Sequence, residues 1–190
     1  MNLLWLQSGG CGGCTLSWLG SDHGSLFRVL ADEGIELLWH PSVSEAGVDE
    51  ARELIERCAD GRTAVDVLCI EGSLLRGPQG TGGFHRFGGG AQPMIDWVKK
   101  IAVRAHHVVA IGSCSAWGGI TAAGINPTDA CGLQYDGEAS GGLLGPDFRD
   151  PGGLPVINIA GCPPHPDWIT ETLAALARGS LDAAQLDDLG

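Results

Sequence analysis

Four of the seven cysteines share a setting that favours metal chemistry. Cys11 and Cys14 lie in Ser8-Gly9-Gly10-Cys11-Gly12-Gly13-Cys14, Cys114 in Gly112-Ser113-Cys114, and Cys162 in Gly161-Cys162-Pro163-Pro164. Each group follows a short apolar run, and each has glycine beside it. Two cysteines three apart reach adjacent corners of one metal centre, and two more from separate stretches close it, as in cubane iron–sulfur sites. Glycine lets the backbone come near the sulfides, where amide N–H groups donate to sulfur and tune its potential. Cys14 is placed about where a helix begins, and a helix dipole there favours a thiolate. Pro163 and Pro164 fix the chain just past Cys162 and present no amide donors.

The other three cysteines read differently. Cys58 falls on the apolar stripe of a helix and Cys69 inside an apolar strand, so both are small core residues. Cys131 sits in a loop after Asn126-Pro127 and is left unligated. Two rival chemistries use the same thiols. A thioredoxin-like thiol–disulfide oxidoreductase explains Cys11 and Cys14, but leaves Cys114 and Cys162 idle. A structural zinc module would take all four, yet that device serves small units poor in core, and 190 residues bury a core unaided. Glu71, in Glu71-Gly72-Ser73, is either a solvated loop carboxylate or a group beside the metal centre with a tuning or proton-handling role. The run Gly77 to Gly90 lacks the Gly-Lys-Ser/Thr of a phosphate loop and reads as a flexible or interface loop. The six histidines are taken as structural or surface residues, and the six tryptophans as core by default, with Trp117 a candidate for an interface or for the metal pocket.

The elements that must position these groups alternate between short strands and amphipathic helices. Strands are expected at Leu3 to Leu6, Ile35 to Trp39, Val65 to Ile70, Val108 to Ile111 and Val156 to Ile159. Helices are expected from about Thr15 or Leu16 towards Leu30, from Asp49 to Ala59, from Pro93 to about Ala105 and from Pro166 to Ala177. In the second helix Ala51, Leu54, Ile55 and Cys58 keep the i, i+3, i+4, i+7 period. In the last helix Ile169, Leu173 and Leu176 face inward. The stretch from Gly112 to Gly153 reads as loop-rich. Crossovers of this length imply an α/β, doubly wound, mostly parallel sheet, arranged as one domain over residues 1–190. The loops leaving the C-terminal strand ends of such a sheet converge on one crevice, so four thiols on three loops should meet there, with Glu71 beside them.

Composition narrows the partners. With 11 basic and 23 acidic residues, a formal net charge of -12 and 31 glycines, the chain is a poor match for nucleic acid or an anionic membrane. No apolar run reaches membrane-spanning length. Met1 to Leu6 lacks the marks of a signal peptide; the expected location is the reducing cytoplasm, with membrane association only through a larger complex, and there cysteines serve as ligands rather than disulfides.

Taken together, Cys11-x-Gly13-Cys14, Glu71-Gly72, Gly112-x-Cys114-x-x-x-Gly118-Gly119 and Gly161-Cys162-Pro163-Pro164 resemble the N-terminal flavodoxin-like domain of nickel–iron hydrogenase small subunits. The resemblance spans essentially the whole chain. It implies that Cys11, Cys14, Cys114 and Cys162 ligate a proximal [4Fe-4S] cluster (four thiols alone also accommodate [3Fe-4S]), that Glu71 lies nearby, and that the cluster edge packs on a large subunit holding the Ni-Fe centre. Hydrogen splitting would belong to that partner, and no residue of this chain would be catalytic. Two further cysteines found beside the cluster in some oxygen-tolerant relatives correspond here to Gly13 and Gly119. The resemblance also implies a further electron-transfer subunit, or a C-terminal cluster domain beyond Gly190. The cluster-bearing subunit of respiratory complex I is similar downstream, but it has tandem cysteines where this chain has Cys11-Gly12-Gly13-Cys14.

Overall fold

Leu3 to Leu6 and Val67 to Ile70 are apolar at every position, the pattern of strands covered on both faces. The computed structural model, which describes residues 1–21 and 26–190, places both at the centre of a sheet. In chain order the elements are β1 (Asn2–Gln7), α1 (Gly13–Leu19), α2 (Leu26–Asp32), β2 (Glu36–Trp39), α3 (Val48–Ala59), β3 (Val67–Glu71), β4 (Leu74–Leu75) and α4 (Met94–Ala102). There follow β5 (His107–Ile111), α5 (Gly112–Trp117), α6 (Gly119–Ala122), β6 (Ala130–Cys131), β7 (Tyr135–Asp136), β8 (Ala139–Ser140), β9 (Ile157–Ile159) and α7 (Pro166–Ala177). The main sheet runs β2-β1-β3-β5-β9, with every pairing parallel. This is the doubly wound, flavodoxin-like order, whose ligand crevice opens where β1 and β3 lead their chains to opposite sides.

Alternation along the strands splits the core in two. Leu4, Leu6, Leu68, Ile70, Val108 and Ala110 face α3 and α4. Leu3, Trp5, Val67, Cys69, Val109 and Ile111 face the other side, where α1, α2 and α7 contribute Trp18, Leu26, Leu30, Ile169, Leu173 and Leu176. Local chemistry fixes the helix ends. Glu50 accepts the Gly47 N–H at 3.1 Å, and Asp49 and Glu50 in the first turn of α3 with Arg57 in the last suit its dipole. Pro166 opens α7 just after His165, whose ring accepts the Asp167 N–H.

Several expectations need correction. The helix expected from Thr15 towards Leu30 is two helices: the Gly20 N–H closes α1 on the carbonyls of Leu16 and Ser17, and glycine is a poor residue for a helix interior. Positions 22–25 of that stretch lie outside the described residues. Pro93 is the N-cap of α4 rather than part of its first turn, and the helix stops at Ala102. The loop-rich stretch after Gly112 also contains α5, α6, the β7–β8 hairpin and β6, which pairs with the distant β4. Cys131 lies in β6, paired with β4 and fully buried; its thiol is 3.7 Å from the Leu74 carbonyl. Trp168 breaks the core default for tryptophan, at 60% exposed.

Candidate metal centre

Four loops at the C-terminal strand ends are laced together by short polar contacts. The β1 and β3 loops exchange two backbone hydrogen bonds, Gly9 N–H to Ser73 O at 2.9 Å and Ser73 N–H to Gly9 O at 2.8 Å. The β5 and β9 loops are tied by Ser113 N–H to Gly161 O at 2.8 Å. Ser17 Oγ on α1 donates to Pro164 O at 2.7 Å, joining the first loop to the last. Between them, Cys11, Cys14, Cys114 and Cys162 line one cavity of about 110 Å³ together with Glu71. All four thiols are free; Cys11 and Cys162 are exposed at its rim, and Cys14 and Cys114 are half-buried.

The backbone is shaped to this crowding. Gly112 turns β5 into α5 at φ +84°, and a Cβ there would fall 2.5 Å from Cys14 Sγ. Gly72 has φ +86° and lies so close to the β1 loop that a Cβ would meet Gly9 and Ser8 backbone carbons at 3.0 Å. Only glycine tolerates both demands. Two further glycines also stand against the thiols. A Cβ at Gly13 would be 3.1 Å from Cys11 Sγ, and one at Gly119 would be 2.7 Å from Cys114 Sγ.

Electrostatics departs from the sequence expectation for Cys14. Its place in the first turn of α1 was expected to favour the thiolate. Instead burial, followed by the neighbouring Glu71 and the thiols of Cys114, Cys11 and Cys162, pushes its thiol up to about 12. Burial raises Cys114 as well, against hydrogen bonds from the Ile120 backbone and the Thr121 side chain that lower it. Four mutually repelling thiolates require a cationic centre between them. Gly13 N–H donates to Cys11 Sγ at 3.4 Å, the kind of amide–sulfur contact that stabilises a ligated sulfur. The donor set therefore fits a thiophilic, positively charged group. The cavity is smaller than the ~300–1,000 Å³ taken by organic ligands. Among the described residues, no three His, Cys, Asp or Glu side chains are grouped so as to hold one metal ion.

Residues 11–176 match the family model described as the NADH ubiquinone oxidoreductase 20 kDa subunit. The chain belongs to this family. Hydrogenase small subunits are among its relatives, as the resemblance implied. The Hydrogenase-2 small chain of Escherichia coli K12 is 34% identical over 172 residues, covering 90% of this chain and 41% of that protein. The periplasmic [NiFe] hydrogenase small subunit of Solidesulfovibrio fructosivorans is 30% identical, covering 100% of this chain and 53% of that protein. The chain thus spans about half the length of these relatives. The recombinant [NiFeSe] hydrogenase of Desulfovibrio vulgaris Hildenborough superposes with a TM-score of 0.80 at 33% identity, over 100% of this chain and 67% of that one.

The remaining sequence candidates now have places. Cys58 and Cys69 are core residues far from solvent, on opposite faces of the sheet. Glu71 is not a solvated loop carboxylate; it is 2% exposed and faces the thiol cavity. Trp117 lines a separate apolar crevice of about 490 Å³ with Tyr135 and Leu189 rather than the thiol cavity. The glycine-rich run touches the β1 loop and is preceded by a paired arginine. His85 Nδ1 and Ser8 Oγ are 3.1 Å apart, and Arg76 at its start bonds Asp129 and Asp136, each at 2.7 Å. Sequence reasoning missed Thr15 and His40, both buried behind Glu71. A hydroxyl directly after Cys14 was the only signal for the first, and nothing local marked the second.

Proposed function

We propose that this family member holds one [4Fe-4S] cluster on Cys11, Cys14, Cys114 and Cys162 and acts as the electron-transferring small subunit of a nickel–iron hydrogenase. The observation that carries the reading is the arrival of four free thiols, from three separate loops, on one small cavity. A cluster bound there supplies a one-electron carrier, so the two electrons released when a partner oxidises H2 to two protons leave singly. The chain's own residues hold and tune that carrier. Cys14 and Cys114 anchor it from below, the Gly13 amide donates to sulfur, and Cys11 and Cys162 bring it to the surface.

The open rim argues for a large-subunit partner holding the Ni-Fe centre. Leu16, five residues after Cys11, is 70% exposed and lines a groove that includes Cys11, Gly10 and Gly12. An apolar side chain and two exposed ligand sulfurs at one edge suit a protein cover. Onward transfer then falls to a further subunit or cluster-bearing domain. Among the described residues no helix is long and apolar enough to cross a membrane, and seven free thiols suit a reducing compartment, whereas two of the relatives are named as periplasmic.

The complex I-type reading shares the family model, but the sequence relatives and the spaced Cys11–Cys14 pair favour the hydrogenase. The test is purification of the chain with whatever accompanies it, followed by metal, sulfide and electron paramagnetic resonance analysis. Iron and sulfide in near-equal amounts, with nickel in a co-purifying larger subunit, are expected. Zinc in place of iron rejects the cluster, and a nickel-free complex with a quinone-reducing partner moves the assignment to complex I.

A further inference from the structure

Behind the thiol cavity, on the side away from solvent, a row of buried polar groups runs through the sheet's edge. The Glu71 carboxylate ends it. Its Oε1 accepts the Cys14 and Thr15 backbone N–H groups, each at 3.1 Å. Its Oε2 accepts the Trp5 indole N–H at 3.2 Å and the Thr15 hydroxyl. All four partners are dipoles, so the negative charge is oriented without being cancelled by a cation. Such a buried carboxylate persists only because these donors replace water.

The row continues inward. Thr15 Oγ1 is 3.4 Å from His40 Nε2, and the His40 ring is 1% exposed. Ser42 N–H donates to His40 Nδ1 at 3.1 Å. A neutral ring whose Nδ1 accepts must carry its proton on Nε2, and that proton points at Thr15 Oγ1. Donation therefore runs in one sense, from His40 to Thr15 to Glu71. The ring has little freedom to turn. It lies 5.0 Å from Trp5, which is itself stacked on Trp18 at 4.9 Å, and the His40 backbone N–H is held by Ser44 Oγ at 2.8 Å.

We propose that Thr15 and His40 are positioning residues that hold the Glu71 carboxylate as a fixed negative charge against the thiol cavity, and that this charge lowers the reduction potential of the group held there. The inference rests on the cluster reading above. Adding an electron beside a fixed anion in a low-dielectric wall is disfavoured, and buried charge and hydrogen bonding are among the levers that set cluster potentials. Without the hydroxyl, Oε2 keeps the Trp5 indole N–H and loses the other of its two donors. Without the imidazole, the hydroxyl loses the donor that keeps its own proton turned toward Glu71.

The test is a redox titration of the cluster, followed by electron paramagnetic resonance, in the complex as purified. It compares the native chain with Glu71→Gln, Thr15→Val, Thr15→Ser and His40→Phe, the last retaining a ring between the tryptophans. Glu71→Gln is expected to raise the potential enough to change the reduced-to-oxidised ratio about tenfold, ~59 mV for a one-electron couple. Thr15→Val and His40→Phe should shift it the same way by less, Thr15→Ser should match the native chain, and iron content should stay constant. An unshifted Glu71→Gln with full iron overturns the proposal. If that variant loses its iron, the pair at Thr15 decides: a shift in Thr15→Ser as large as in Thr15→Val overturns it equally. A native preparation without iron is a different failure, since it removes the cluster itself.

Discussion

Burial moves the Cys14 thiol and the His40 imidazole in opposite directions, and each shift has a consequence that a single substitution exposes. For Cys14 the burial adds to the nearby carboxylate and thiols, so the sulfur becomes a good ligand only when a cationic centre replaces its proton. For His40 burial lowers the ring to about 4. The unfolded ring titrates near 6.5, so between these values the unfolded chain binds more protons. The ring's contribution to stability is then full above about pH 6.5 and is lost as pH falls toward 4. Urea midpoints measured across that window should decline, with a shallower decline in His40→Phe; burial lowers His85 as well, so some slope remains. Sorting the cysteines gives a second test. Cys58→Ala should keep the iron signal and lower stability by about 1 kcal/mol, from a small unfilled core space, whereas Cys162→Ala should lose iron and its resonance signal. Equal iron loss in the two would show that Cys58 had been sorted wrongly.

Strand ends and the first turns after them set where the thiols arrive. β5 passes into α5 through Gly112, so placing Cys114 in the cavity depends on one left-handed residue pressed against Cys14 Sγ. Gly112→Ala should therefore reduce bound iron severalfold. Gly153 is also left-handed, at φ +87°, but a Cβ there meets nothing within 4 Å; Gly153→Ala should cost about 1–2 kcal/mol of stability with iron unchanged. Comparing iron-to-protein ratios in the two variants separates steric exclusion from backbone strain. On the covering layer, Ile55 is fully buried between α3 and the sheet, and Ile55→Ala should cost ~2–5 kcal/mol by denaturant titration.

For the whole molecule, the rim is the feature left incomplete. Exposed Cys11 and Cys162 beside Leu16 leave a bound cluster open to oxidants unless another protein covers that edge. Leu16→Glu is expected to weaken recovery of the larger partner by an order of magnitude while leaving the iron content of the chain intact under anaerobic purification. Recovery of the partner at the native level would place the interface elsewhere.

Sequence by itself determined the strand order's raw material and which four thiols meet at one edge. Leu3 to Leu6, Val67 to Ile70 and the period of α3 are readable because burial on two faces or one stripe leaves a one-dimensional pattern. The glycine-flanked cysteines at strand ends are readable because a parallel sheet sends those ends to a common edge. Only the tertiary structure decided the rest. Cys131 became a buried strand residue because β4 lay beside it, and Cys14 lost its helix-derived advantage to burial and neighbouring negative groups. His40, 25 residues from Thr15 and 31 from Glu71, entered their row through β2 packing beside β1. Contacts between residues so far apart, made one hydrogen bond at a time, carry no period in the chain, so no local pattern announces them.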